Sequence, residues 1–83
     1  MDKHLPIFRK ATRRNSLVHE LFIGDHWYGI SYATVIAYRG PQAPRGIRLH
    51  NRWGPTTGRH MNELGVKNWQ VVSDDDFEKL AAI

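Results

Sequence analysis

The residues best placed to do chemistry stand close together: Thr56, Thr57, Arg59 and His60, in the stretch Trp53-Gly54-Pro55-Thr56-Thr57-Gly58-Arg59-His60. A helix starting here offers backbone N–H groups, two hydroxyls and two cationic or near-cationic side chains, which suits an anion such as phosphate. The simpler structural reading makes Thr56 or Thr57 the helix cap and lets His60 help lock the turn. On that reading Thr56, Thr57 and His60 are structural and Arg59 is the binding residue. A nuclease using His60 or His50 as base, with an arginine for transition-state charge, needs an acid–base pair that the spacing does not identify, so no catalytic residue and no enzyme are expected. The histidines at 4, 19, 26, 50 and 60 have no metal-ligand spacing, and the chain has no cysteine. Neither a metal nor a cofactor is expected.

A basic pattern leads up to this stretch. Ile47 to Trp53 reads as a strand, and period two places Arg48, His50 and Arg52 side by side on one sheet face. Arg59 continues that face. Before residue 16, Arg9, Lys10, Arg13 and Arg14 cluster around Ile7-Phe8. Residues 1–15 read as a basic arm that contacts phosphates, or as a partly helical edge segment with Phe8 docked on the core, ahead of a single domain over 16–83. Residues 1–60 hold ten Lys/Arg against three acids, a net of +7, whereas residues 61–83 hold two against five, a net of −3. Such polarity suits an anionic partner, although solubility alone also accounts for it.

The elements that position these residues are short. Leu17 to Ile23 alternates as a strand, and Gly24-Asp25-His26 is a hairpin turn. Trp27 to Tyr38 is a long β-type run with large residues at even positions and small ones at odd positions, expected to be central and covered on both faces. Arg39 to Gly46, RGPQAPRG, contains two prolines and two glycines and reads as an exposed loop. After the Trp53–His60 corner, Met61 to Leu64 reads as a short helical turn closed by Gly65. Lys67 to Val72 reads as a short fourth strand. Ser73 then caps a terminal helix with Asp74, Asp75 and Asp76 in its first turn and a buried stripe of Phe77, Leu80 and Ala81. The class is α+β: a small antiparallel sheet of three to four strands, a short helix after strand three, a C-terminal helix, and both helices on one face.

Ser31-Tyr32-Ala33-Thr34-Val35-Ile36-Ala37-Tyr38-Arg39, followed by a strand ending in Trp53 and by Thr56-Thr57-Gly58-Arg59-His60, resembles a group of small phage and bacterial proteins of unassigned function. Their pattern is a strand of the form SYxTxIA, then an aromatic strand end, then TTxxH. The resemblance covers residues 27–64. It implies a phage or mobile-element setting and no particular activity. The proline-rich stretch at 40–46 and the basic segment before residue 16 depart from it.

The expected function is a small phage-type nucleic-acid-binding module that contacts phosphates through Arg48, Arg52, Arg59 and the arm, with His50 near them. The alternative is a phage-encoded protein-binding inhibitor or adaptor that blocks a host defence or a host nucleic-acid enzyme, in the manner of an anti-CRISPR protein. Its interface would be the arm, the RGPQAPRG stretch and exposed aromatics. Trp27, Trp53, Trp69 and the tyrosines raise stacking on single strands, against a plain core role for most of them. No apolar run approaches the ~20 residues that span a bilayer, and no membrane partner is expected. A cytoplasmic location is expected, in the host cell if the chain is phage-encoded. An exposed sheet edge makes a homodimer a further expectation.

Overall fold

The computed structural model describes residues 6–13 and 15–81. Its elements run β1 (Ile7–Lys10), β2 (Val18–Ile23), β3 (His26–Ser31), β4 (Thr34–Gly40), β5 (Ala43–Leu49), α1 (Pro55–Leu64), β6 (Gln70–Val72) and α2 (Asp74–Ala81). The strands form one six-stranded sheet in chain order. Pairs β1 to β5 are antiparallel, and β6 joins β5 in parallel after the α1 crossover. The α+β class stands, but the expected sheet of three to four antiparallel strands is corrected to six strands in a mixed sheet.

Three local features account for the difference. The run Trp27 to Tyr38 is a hairpin, not one strand: Ser31 pairs with Thr34 across a two-residue turn of Tyr32-Ala33. Tyr32 takes φ 56°, a left-handed conformation that costs an L-residue roughly 1–2 kcal/mol. The stretch RGPQAPRG is not a loop either. Gly40 pairs with Ala43, so Pro41-Gln42 is a tight turn between β4 and β5. Pro44 is tolerated because β6 pairs only with Ile47, Arg48 and Leu49, leaving β5 without a strand on that side at Pro44. Finally, Ile7–Lys10 pairs with Phe22 to His19, so this part of the basic segment is an edge strand of the sheet.

The helices lie on opposite faces of the sheet, where one shared face was expected. Alternation along β3 decides this. Tyr28 joins Tyr38, Ile47, Leu49, Phe77 and Ala81 in a cluster under α2. Its neighbour Trp27 joins Ile36, Ala37, Met61 and Val66 in a cluster under α1. A register shift in the β3–β4 pairing, where Gly29 faces Ala37 and Ile30 faces Val35, leaves Ile36 unopposed and lets both Ile36 and Ala37 serve the α1 side.

Helix ends are set by local chemistry. Gly65 closes α1 at φ 75°, and its N–H and that of Val66 donate to the carbonyls of Asn62 and Met61, a paired C-terminal arrangement for which glycine is suited. Ser73 caps α2 as expected, its Oγ accepting from the Asp76 N–H at 3.2 Å. Phe77 and Ala81 are buried and Leu80 is half-buried, as the stripe predicts. Gly46, at φ 88°, lies under the Trp69 indole, where a Cβ would overlap the ring.

Candidate functional site

Strand β5 stops at Leu49, four residues earlier than the sequence suggests. The cause is Asn51. Its Oδ1 accepts from the N–H groups of Trp53 and Gly54 at 3.1 and 3.2 Å, and its Nδ2 donates to the Gly54 carbonyl at 2.9 Å. This side-chain turn folds the backbone out of the sheet. Arg48, His50 and Arg52 therefore do not line up on one face. Arg48 is half-buried and engaged with the backbone, donating to the carbonyls of Lys67 at 3.1 Å and Leu49 at 2.9 Å. His50 is exposed beyond the strand. Arg52 pairs with Asp74 of α2 at 2.8 Å and lies 4.7 Å from the Trp53 ring.

The remaining basic residues are dispersed. Arg9 binds Glu20 at 3.3 Å and sits 5.0 Å over the Phe22 ring. Lys10 and Arg13 are exposed, and Arg59 is exposed on α1. Arg14 lies outside the described residues. Phe8 is 59% exposed and stacks on His19 at 4.7 Å, so it covers the sheet edge rather than entering the core.

A cation that the site reading omitted is better placed. Arg39 pairs with Trp27 across the β3–β4 hairpin and lies 5.5 Å from the Trp27 ring and 5.7 Å from Trp69. The two indoles meet edge to face at 5.4 Å. The Trp27 N–H donates to Glu20 at 3.0 Å, and Glu20 also holds Arg9. Arg9, Glu20, Trp27, Trp69 and Arg39 thus form a connected band on the α1 side of the sheet, with Arg39 exposed. The signal was the alternation that places Arg39 in register with Trp27, but it is readable only once the Tyr32-Ala33 turn is known.

The corner that looked chemical is assembled differently from the expected cap. Helix α1 starts at Pro55, with Gly54 as its N-cap at φ 104° and no side chain capping it. Thr56 and Thr57 therefore lie inside the first turn. Thr56 is exposed, Thr57 is 4% exposed and His60 is 1% exposed. His60 Nδ1 shares a hydrogen bond of 2.6 Å with Ser31 Oγ, at the end of β3. The Tyr32 ring tilts against the His60 ring at 5.3 Å. Around them is a small cleft of about 30 Å³ lined by Ser31, Tyr32, Thr34, Ile36, Trp53 and Thr57. These residues come from two segments of the chain, 31–36 and 53–57. The segments are separate in sequence and meet at one place in the fold. His60 locks α1 to the β3 end, so its partner is Ser31 and neither threonine.

Among the described residues no group of three His, Asp or Glu side chains is placed to hold a metal ion, and no helix is long and apolar enough to cross a membrane. No curated protein and no solved structure matches the chain. A family model does match, over residues 7–79, which takes in all six strands, α1 and most of α2. The chain belongs to DUF8033, a family of unknown function.

Proposed function

We propose that this protein is a small nucleic-acid-binding module that works from the α1 side of its sheet. The observation that carries this reading is Arg39, an exposed guanidinium stacked on two indoles in a band that also contains Arg9. Arginine held against aromatic rings binds phosphate while the rings offer stacking surface to bases. Arg59 and Lys67, both exposed, extend the positive charge along α1 and the turn after it. Of the five acids in residues 61–83, Asp74, Asp75, Asp76 and Glu78 belong to α2, which covers the other face, and only Glu63 lies on α1. A phage or mobile-element setting and a cytoplasmic location form part of this proposal, the former resting on the resemblance alone.

The test is binding of a fluorescent single-stranded oligonucleotide and of a duplex at low salt. Binding that falls steeply with added salt is the expected result. Absence of binding to both probes at low salt contradicts the proposal.

A second reading, a protein-binding inhibitor or adaptor, is favoured by one observation. Strand β1 pairs with β2 alone among the described residues and displays Ile7 and Phe8, with Ile23 also exposed on β2. An exposed apolar edge of this kind pairs readily with another chain. Recovery of a defined host protein after nuclease treatment would favour this reading, and recovery only with nucleic acid present would favour the first.

A further inference from the structure

We infer that Glu20 is a positioning residue of the α1-side band: its one carboxylate holds both Arg9 and the Trp27 indole, so that the guanidiniums of Arg9 and Arg39 meet the phosphates of a nucleic-acid strand already oriented. The inference rests on the nucleic-acid reading for the identity of the ligand.

An acid is out of place on a surface that receives phosphate, because by charge alone it repels the ligand. Glu20 nevertheless stands inside the band, on β2, bonded to Arg9 of β1 and to Trp27 of β3. Both of its oxygens are engaged. Oε1 accepts from the Trp27 indole N–H at 3.0 Å, and Oε2 accepts from Arg9 Nε at 3.3 Å. An exposed ion pair contributes little to stability by itself. Here the same carboxylate also fixes a ring on which the second cation rests.

The way Arg9 is held leaves its phosphate-binding end open. A guanidinium carries five N–H groups, and Glu20 engages it through Nε rather than through the terminal fork that grips a phosphate. The Arg9 side chain is 62% exposed, against 20% for Glu20, so that fork remains accessible. Arg9 also lies 5.0 Å over the Phe22 ring. A guanidinium fixed at Nε and against a ring loses less freedom when an anion arrives.

Trp27 carries the effect across the sheet. It is 6% exposed, and its N–H donates to Glu20. Arg39 stands 5.5 Å from its ring and 5.7 Å from that of Trp69. Turning the Trp27 indole would shift the surface that Arg39 lies on. Glu20 therefore sets Arg9 directly and Arg39 through Trp27. Glu63, the acid on α1, differs: its carboxylate bonds the Asn15 side chain at 3.2 Å and holds no cation or ring of the band.

The test is a titration of a fluorescent ten-residue oligothymidylate over a range of salt, starting low. It compares the wild-type protein with Glu20→Gln, Glu63→Gln, Arg9→Gln and the variant carrying both Glu20→Gln and Arg9→Gln, each shown to be folded by its amide spectrum. Charge alone predicts tighter binding on loss of either acid. Positioning predicts opposite signs. Glu20→Gln is expected to weaken binding roughly three- to ten-fold and to lower the slope of log affinity against log salt by up to about one, while Glu63→Gln binds as tightly as wild type or slightly better. With Arg9 already replaced, Glu20→Gln is expected to lose most of its effect, because residues in contact do not act additively. If Glu20→Gln does not fold, Glu20→Asp, which keeps the charge and shortens the reach, is expected to weaken binding to a similar extent. Binding by the folded variant at wild-type strength or better overturns the positioning role while the nucleic-acid reading stands. So does a loss that persists in full without Arg9. If the wild-type protein binds no oligonucleotide at low salt, the nucleic-acid reading fails and the inference falls with it.

Discussion

The two faces of the sheet are built to different rules. Under α2 both buried tyrosine hydroxyls have partners. The Tyr28 hydroxyl donates to the Ala81 carbonyl at 2.9 Å, and the Tyr38 hydroxyl is bonded to His26 Nδ1 at 2.6 Å. The rings of Tyr28 and Tyr38 pack on each other at 5.2 Å, and Phe77 fills the space beside them. Under α1 the arrangement is looser in its chemistry. The helix start has no side-chain cap, Tyr32 takes a left-handed backbone conformation, and Arg39 and Trp53 face outward. The α2 side seals its two tyrosine hydroxyls in hydrogen bonds, and the α1 side presents rings and charge. This difference is the reason the proposed binding is placed on the α1 side.

The sharpest way to break this comparison is to damage the α2 face. Phe77→Ala removes a buried ring and is expected to destabilise the protein by about 3–5 kcal/mol, measured by denaturant unfolding. In a domain of this size that is much of the total stability. Binding by the fraction that remains folded is expected to be unchanged. Loss of binding in the folded fraction would contradict the assignment of function to α1.

Alkaline pH probes the same face by another route. Burial raises the pKa of Tyr28 above 10, and burial followed by the neighbouring Tyr28 charge raises that of Tyr38. The folded form therefore keeps protons that the unfolded form loses. Stability from these groups is complete below pH 10 and is lost as pH rises beyond it. Unfolding followed by tyrosinate absorbance is expected to coincide with ionisation of these two rings. Ionisation at the ordinary value with the fold intact would contradict their burial.

On the α1 face, Ser31→Ala takes away the partner of the buried His60 and is expected to cost about 1–3 kcal/mol. A loss of that size would identify the Ser31–His60 bond as the link between α1 and the sheet. No loss would mean that His60 finds another partner and that the bond is dispensable. Arg39→Gln is expected to leave stability almost unchanged and to lower the slope of log affinity against log salt by about one. An unchanged slope would remove Arg39 from the interface. The smallest effect is expected of Asp74→Asn, which breaks the exposed ion pair with Arg52 and should cost under about 1 kcal/mol.

The sequence was most readable where a residue's own chemistry decides local structure. Ser73 with three following aspartates marks the α2 start, and Gly24-Asp25 marks the β2–β3 turn. Reading failed where the deciding contact is distant. Tyr32-Ala33 contains no glycine, asparagine or proline, so nothing local announces a turn; the Tyr32 N–H bond to the Leu17 carbonyl at 2.8 Å and the His60 ring hold it. Prolines 41 and 44 read as breakers of structure, yet one sits in a tight turn and the other in a stretch of β5 that lacks a neighbour on one side. The site suffered from the same cause. Arg48, His50 and Arg52 alternate correctly for a strand, but Asn51 among them ends it. Thr57 and His60 were visible as a motif, whereas Ser31 as the partner of His60 lies 29 residues away.

The central claim is that ligand binds the α1 face and not the α2 face. The most direct measurement is an amide and indole spectrum of the protein titrated with a short oligothymidylate at low salt. Shifts are expected at Arg39 and at the Trp69 indole, with Phe77 and Leu80 unmoved. Shifts centred on α2, or no shifts at low salt, would contradict it.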